Sequence, residues 1–361
     1  MSRDLASVLL RPDRTIRQAM RQMNENERGI VLVVDEKGVL LDTVTDGDLR
    51  RAMLDGVDLD TSLAALSERR AGSPYPEPVT VAEEMPHAEV MALMSREKLR
   101  HIPVVDAKGR VTDLVVAGDT VSGEPPNLEV SALVMAGGLG IRLRPLTDTV
   151  PKPLLPVGDK PIMEYTIQQL SAAGVRRVLV STHYKAEAFH SHFGDGARFG
   201  IEMEYVQEEQ PLGTAGALRL MEQPSEPILV INGDVLTQVN YHAMLSFHQE
   251  YAAQMTVGVT QYEFEVPYGV VEIDGVEIRA LVEKPHMRHF VNAGLYLLEP
   301  SVLEHIPEGQ RFDMTDLIQA VIGAGQRVVS FPISEYWRDL GQHGDYVQAE
   351  KDVSDEGLFP S

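Results

Sequence analysis

The hydrophobic pattern of the first third of the chain occurs twice. Apolar Ile16, Ala19, Met20 and Met23 recur at helical spacing across residues 15–24. The apolar run from Ile30 to Val34 ends in Asp35-Glu36-Lys37-Gly38, a hairpin-type turn, and residues 39–44 read as a second strand. Thr45-Asp46-Gly47-Asp48 then opens a helix, with Thr45 or Asp46 as its N-cap. The same order follows downstream: a helix near residues 88–97, a strand His101-Ile102-Pro103-Val104-Val105, and a turn at Lys108-Gly109. Val33-Val34-Asp35 matches Val104-Val105-Asp106, Gly38 matches Gly109, Val44 matches Val115, and Asp48 matches Asp119. Met20 and Met23 match Met91 and Met94 at the same offset of 71 positions. A constant offset over this length points to a duplicated α-β-β-α unit. Residues 1–121 therefore read as one domain with repeats at about 8–60 and 75–121. Ser122-Gly123-Glu124-Pro125-Pro126-Asn127 reads as a linker, and residues 128–361 as a second domain.

Beyond the linker the period changes to alternating strands and helices. Residues 128–135, 178–182, 203–207 and 228–231 are strand-like. Residues 163–173 are helical, with Ile167 and Leu170 at i,i+3. Such alternation predicts a mostly parallel, helix-flanked sheet that binds ligands past the carboxyl ends of its strands. Gly137 and Asp234 fall at such ends.

Composition narrows the function classes. A length of 361 residues, 43% hydrophobic and 24% charged, suits two or three globular domains. The net charge of -22 repels nucleic acid and anionic membranes, so neither is expected as a partner. A bound polyphosphate needs a locally basic cleft. Cysteine is absent, which excludes disulfides, thiolate metal sites and a cysteine nucleophile. The N-terminal residues lack the apolar core of a signal peptide, and no apolar run reaches about 18 residues. A soluble cytoplasmic protein is the expectation.

The candidate chemistry starts at Ala136-Gly137-Gly138-Leu139-Gly140-Ile141-Arg142-Leu143-Arg144. Glycines after a strand let backbone N–H groups approach a phosphate. The Walker A pattern is absent, and Leu143 stands where a dinucleotide fingerprint needs glycine. Arg142 and Arg144 instead supply cations suited to a triphosphate. Lys152 lies between Pro151 and Pro153, which restrict its backbone and are expected to deny it a helix. His183, His190 and His192 suggest a metal cluster only superficially. Positions i and i+2 lie on different sides of a helix, so packing or solvated roles are expected. The methionines read as core fillers.

Two family resemblances follow from these motifs. The repeated α-β-β-α unit, with Val44-Thr45-Asp46-Gly47-Asp48-Leu49 after its last strand, resembles a CBS-domain pair. That resemblance implies an adenosine nucleotide between the repeats, with Thr45, Asp48 and Asp119 as ligands, and association into a homodimer or larger homo-oligomer. The second copy reads Val116-Ala117-Gly118-Asp119 and lacks the hydroxyl of Thr45, so a packing module without ligand stays open.

The pair Gly137-Gly138-Leu139-Gly140-Ile141-Arg142 and Pro151-Lys152-Pro153-Leu154-Leu155-Pro156 resembles the sugar-1-phosphate nucleotidyltransferase family. Gln210-Pro211-Leu212-Gly213-Thr214, Asn232-Gly233-Asp234, Tyr268-Gly269, Glu283-Lys284-Pro285, Asn292-Ala293-Gly294 and Trp337-Arg338-Asp339 follow in the family's order. The resemblance implies a Rossmann-like, mixed and mostly parallel α/β sheet of the GT-A-like kind. It implies a reaction in which a sugar 1-phosphate attacks the α-phosphate of a nucleoside triphosphate and pyrophosphate leaves. Arg142 would face the departing phosphates, Lys152 the α-phosphate and sugar phosphate, and Asp234 and Asp339 an Mg2+ ion. The nucleotide side would comprise Leu133, Ala136, Gly137, Gly138, Gly140, Gln210, Gly213 and Thr214. The sugar-phosphate side would comprise Gly233, Tyr268, Gly269, Glu283, Lys284 and Asn292. The union with a CBS pair resembles guanylyltransferases, which points to GTP with mannose 1-phosphate or a hexosamine 1-phosphate. No single residue excludes UTP, dTTP or CTP. A catalytically inactive CBS-linked sensor, and a transferase acting on another phosphorylated alcohol, are the competing readings.

Overall fold

A computed structural model describes residues 5–26, 28–69, 77–97, 99–117, 127–208, 210–222, 224–356 and 359. The chain divides into two compact units, residues 1–124 and 125–361. The expected linker, apart from Asn127, lies outside the described residues.

In the first unit each repeat builds one three-stranded sheet. The first sheet is β1 (Leu9–Leu10), β2 (Ile30–Val34) and β3 (Leu40–Thr45), with helices α1 (Ile16–Asn26), α2 (Asp46–Leu54) and α3 (Leu63–Arg69). The second is β4 (Val81–Ala82), β5 (His101–Val105) and β6 (Val111–Val116), with α4 (His87–Glu97). The duplication extends to irregularities: the register shifts between Val33 and Val34 in one sheet and between Val104 and Val105 in the other. The hairpin turns of the repeats bond to each other, Leu40 N to Gly109 O and Val111 N to Gly38 O, both 3.0 Å. Ile16, Ala19, Met20 and Met23 form the buried face of α1, as their spacing requires.

The second unit begins with β7 (Ser131–Met135), the short pair β8 (Pro156–Val157) and β9 (Lys160–Pro161), and α5 (Ile162–Ala172). Then come β10 (Arg177–Thr182), α6 (Ala186–Phe193), β11 (Glu202–Gln207), α7 (Gly213–Gly216), β12 (Ile228–Asn232), β13 (Val235–Thr237) and α8 (Tyr241–Glu250). The chain finishes with β14 (Met255–Glu265), β15 (Val270–Asp274), β16 (Glu277–Val282), β17 (His286–Leu298), α9 (Met314–Gly323), β18 (Val328–Pro332), β19 (Trp337–Asp339) and α10 (His343–Glu356).

Seven strands form one sheet in the order β11-β10-β7-β12-β17-β14-β18. Four of its six neighbouring pairs are parallel, and only the pairs made by β17 are antiparallel. Hydrophobic layers cover both faces. Val134 packs with Met163, Ile167 and Phe189 on one side, and Leu133 packs with Val230, Leu298 and Leu317 on the other. Two local expectations need correction. Sheet pairing starts at Ser131 rather than Leu128, although Leu128 and Val130 are buried. Lys152 does enter a helical turn, a single 3-10 turn over Lys152–Leu154. Pro151 and Pro153 occupy the first turn, where a missing N–H leaves no helical bond unmade.

Candidate active site

The loops that leave β7, β10, β11 and β12 converge at one end of the sheet. Gly137 sits where a Cβ would lie 2.9 Å from Glu208 Oε1, so a side chain there would displace that carboxylate. Gly140 has φ +62°, and a Cβ would lie 2.9 Å from Thr147 Cγ2. The Thr147 hydroxyl donates to Gly140 O at 2.8 Å and fastens the loop. Gly138 has open space around it, which leaves its backbone accessible to a ligand.

Asp234 and Asp339, far apart in sequence, meet because β13 and β19 pair antiparallel with Val235 opposite Asp339. Leu340 N donates to Asp234 O at 3.1 Å and closes that junction. Lys152, 8% exposed, reaches its side chain between the two carboxylates. Its Nζ hydrogen-bonds Asp234 Oδ2 and lies 3.8 Å from Asp339 Oδ1. Burial holds the Asp339 carboxyl above its ordinary value, and the charge of Asp234 adds to the rise, while Lys152 and Arg142 oppose it. Arg142 is exposed on the 3-10 turn Ile141–Leu143 and faces Gly341 beside Asp339. Arg144 instead pairs with Asp148 at 3.4 Å on the surface, which separates it from the other cations.

Two connected lobes adjoin this arrangement. One, of about 440 Å³, is lined by Gly138, Gly140, Arg142, Lys152, Asp234 and Gly341 among others. The other, of about 340 Å³, shares Gly138, Lys152 and Asp234 and runs on to Ala136, Gly137, Gly213 and Thr214. The second lobe is also lined by Ser181, Glu208, Arg311 and Asp313, which sequence reasoning missed, by His183, which it assigned to packing or solvent, and by Asn232 of the Asn232-Gly233-Asp234 motif. Glu208 is 6% exposed. Its Oε1 accepts from Ser181 Oγ at 3.2 Å and its Oε2 accepts from Leu212 N at 2.9 Å. Its position directly after a strand, one residue past Gln207, was the available signal. Asp313 caps α9 and accepts from Thr214 N at 3.1 Å, and Met314 N donates to Thr214 Oγ1 at 2.8 Å. No local pattern in the sequence announces that docking.

The other expected residues are placed elsewhere. Leu133 is fully buried inside β7 and lines neither lobe. Gln210 donates its amide to Gly309 O at 3.0 Å and also lines neither. Gly233 N donates to Met135 O at 2.9 Å, and this close approach of β12 to β7 leaves no room for a Cβ. Tyr268, Gly269, Glu283 and Lys284 lie at the β15–β16 hairpin, with Tyr268 74% exposed and Glu283 Oε2 packed against Gly269. Asn292 Oδ1 accepts from Gly294 N at 3.0 Å. None of these five lines a lobe.

His190 and His192 make packing contacts, while His183 lines the second lobe. His192 bonds Glu164 at 2.7 Å, His190 stacks on Tyr205 at 3.8 Å, and His183 Nδ1 lies 2.8 Å from Glu208 O. No group of three or more His, Cys, Asp or Glu among the described residues is arranged to hold a metal. In the first unit Thr45 caps α2 through a reciprocal box with Asp48: Thr45 N to Asp48 Oδ2 is 2.8 Å and Asp48 N to Thr45 Oγ1 is 3.3 Å. Asp119 lies outside the described residues. Among the described residues no helix is long and apolar enough to cross a membrane.

Comparison with known proteins gives concordant matches. The family model for nucleotidyl transferases matches residues 131–356, and the model for CBS domains matches residues 1–55 and 74–121. The mannose-1-phosphate guanylyltransferase of Mycobacterium tuberculosis is 33% identical over 240 residues, 64% of this chain and 67% of that protein. The mannose-1-phosphate guanylyltransferase catalytic subunit beta of Danio rerio is 35% identical over 227 residues, 60% of this chain and 63% of that protein. The chain thus spans about two thirds of the length of these relatives. Among solved structures, HddC of Yersinia pseudotuberculosis superposes with a TM-score of 0.50 at 24% identity, over 62% of this chain and 100% of that one. A Bacillus anthracis structure superposes with a TM-score of 0.52 at 24% identity, over 63% and 96%. At these identities the superpositions show a shared fold.

Proposed function

The chain belongs to the nucleotidyl transferase family, with CBS domains ahead of the transferase unit, and on that premise we propose that it is a sugar-1-phosphate guanylyltransferase. Its substrates are GTP and mannose 1-phosphate or a hexosamine 1-phosphate. An oxygen of the sugar phosphate forms a new bond to the α-phosphorus of GTP, the bond from that phosphorus to the bridging oxygen breaks, and pyrophosphate leaves. The observation that carries the reading is Lys152 held between Asp234 and Asp339 at the mouth of a glycine loop. Such a reaction asks the protein mainly for positioning and charge stabilisation.

The roles follow from placement. The open backbone at Gly138 cradles phosphate oxygens, and Arg142 meets the charge that builds on the leaving pyrophosphate. Lys152 neutralises the α-phosphate and the incoming sugar phosphate. Gly137, Gly213 and Thr214 border the base. Glu208 offers a buried carboxylate in the same lobe, and such a group suits the adjacent N1–H and N2–H donors of guanine. The names of the relatives favour GTP and mannose 1-phosphate in the same direction. Tyr268, Gly269, Glu283, Lys284 and Asn292 would approach the sugar from the ribbon that bears them.

Asp234 and Asp339 fit a divalent cation, Mg2+ in our reading. Both donors are carboxylate oxygens, as a hard ion prefers. Two carboxylates sharing one corner repel each other, and the charge of Asp234 adds to the desolvation that raises the Asp339 carboxyl. When bound, the ion neutralises phosphate charge. We place the work of the protein in the cytoplasm, where nucleoside triphosphates are made. We also assign the first unit an adenosine nucleotide that tunes the transferase.

The test is pyrophosphate release by the purified chain with Mg2+, using GTP, UTP, dTTP, CTP and ATP in turn against a panel of hexose and hexosamine 1-phosphates. Release with GTP and one sugar is expected. Silence with every pair, with and without ATP or AMP, would favour an inactive sensor. Release only with another nucleotide would move the substrate assignment.

A further inference from the structure

β14 and β17 leave the central sheet together. β18 accompanies β14 only as far as Val259, and β12 accompanies β17 only over Leu295–Leu298. From Thr260↔Val291 to Glu265↔His286 the two strands run on as a ribbon without a third strand among the described residues. A bond from Val266 N to Pro285 O, 3.0 Å, carries the ribbon into the β15–β16 hairpin.

Each leg of this ribbon has one side free of carboxylates and one side that holds them. Cross-strand partners share a face, so Thr260/Val291, Tyr262/His289 and Phe264/Met287 form one side of the first leg. Phe264 lies 6.0 Å from Tyr262 and 6.1 Å from His289 between ring centres. The opposite side carries Gln261/Phe290, Glu263/Arg288 and Glu265/His286, with Phe290 38% exposed, Arg288 2.8 Å from Glu263 and His286 3.6 Å from Glu265. On the second leg Val271/Leu281 and Ile273/Ile278 share one side, and Val270/Val282, Glu272/Ala280 and Asp274/Glu277 lie on the other. Tyr262, Phe264, Met287, Val271, Ile273, Ile278 and Leu281 are each between 38% and 70% exposed. These are core-type side chains, and a two-stranded ribbon is marginal unless something covers its apolar face.

We propose that the apolar faces of this ribbon are covered by the same faces of a second copy of the chain. Three observations select that occupant. The seven side chains expose on the order of 800 Å², about one partner's share of a standard interface. The chain carries a net charge of -22, so two copies repel wherever acidic surface meets acidic surface. The two apolar faces contain no Asp or Glu, and a second copy can approach there without that penalty. An antiparallel ribbon is also self-complementary about a two-fold axis, which gives a closed pair rather than an open chain of contacts.

The chain has no cysteine, so single thiols report on the full-length protein. Ile278→Cys places one on the apolar face and Glu272→Cys one on the opposite face of the same hairpin. Maleimide labelling rates and light-scattering mass are read together over a dilution series. The proposal expects a dimer in which the thiol at 278 reacts at least ~10-fold more slowly than that at 272, and a gap that closes as the dimer dissociates. Equal rates at the two positions in the associated protein would overturn it. Protection at 278 in a monomer would place another segment of the same chain on the face and would also overturn it. For an association too tight to dilute apart, Ile273→Arg with Leu281→Arg, checked for an unchanged circular dichroism spectrum, is expected to lower the mass, and an unchanged mass rejects the proposal. These readouts do not depend on the transferase reaction, so they stand apart from the substrate assignment.

Discussion

At the scale of single residues, Lys152 is the pivot of the site. A largely buried ammonium between two carboxylates is stabilised by both, and it is preorganised for the phosphates that would replace them as partners. Lys152→Ala and Asp234→Asn are each expected to lower turnover by at least ~10²-fold, the usual scale for losing a transition-state charge contact. Pyrophosphate-release kinetics check this, and unchanged turnover in either variant removes that residue from the chemistry. On the proposed function Glu208 acts on selectivity instead. Glu208→Gln replaces one acceptor oxygen by a donor amide in a buried position. The ratio of kcat/KM for GTP over ITP, which lacks the exocyclic amine, is expected to fall by ~10-fold or more while chemistry on the phosphates continues. Equal losses with both nucleotides would mean that Glu208 holds the pocket together rather than reading the base. The sequence pointed to Lys152 and Asp234 through rigid flanking prolines and a strand end. It named Gln210 and not Glu208, because which polar residue lines the cavity depends on how the backbone after β11 folds.

Elements show how much local pattern controls. Helix α8 presents Tyr241, Met244, Phe247 and His248 to the core. His248 is almost fully buried, with Nδ1 2.8 Å from Thr256 Oγ1 and Nε2 3.1 Å from Glu299 Oε1. Burial lowers the pKa of its imidazole, and the bond to Glu299 offsets only part of that. The unfolded chain therefore takes up this proton at higher pH than the folded one, near the ordinary histidine value of about 6.5. The contribution of His248 is fully present above that value and is lost as pH falls through its lower folded pKa. Thermal unfolding from pH 8 to pH 5 is expected to show Tm falling below about pH 6.5, with a shallower fall in His248→Gln. Parallel slopes in the two proteins would exclude His248 as a source of the pH dependence. Helices α1, α4 and α5 and strands β2, β5, β10 and β11 were legible within a residue or two, because side-chain period and turn chemistry act over a few residues. The ribbon of β14–β17 was not, because its alternation has no core to face within the unit.

At the scale of the whole molecule, the two units pose separate questions of binding and coupling. Thr45 and Asp48 cap α2 through each other's polar groups, so a nucleotide ribose would have to share or replace those bonds. An adenosine nucleotide that tunes the transferase through them should change the kcat or KM for GTP by at least ~5-fold in the full chain, the lower range of allosteric coupling. Thr45→Val should remove that change and leave basal activity intact. Identical kinetics with and without AMP or ATP would assign the first unit to packing alone. By itself, the sequence determined the duplication, the glycine loop, the clamped lysine, the acidic surface and the absence of thiol chemistry. Each of these is written in consecutive residues or in counts. Only the tertiary structure decided that Asp234 meets Asp339, that Glu208 and Asp313 border the cavity, and that an apolar ribbon stands clear of the sheet. Those facts rest on which distant strands pair and in which register, and backbone hydrogen bonds carry no side-chain signature that a single sequence could display.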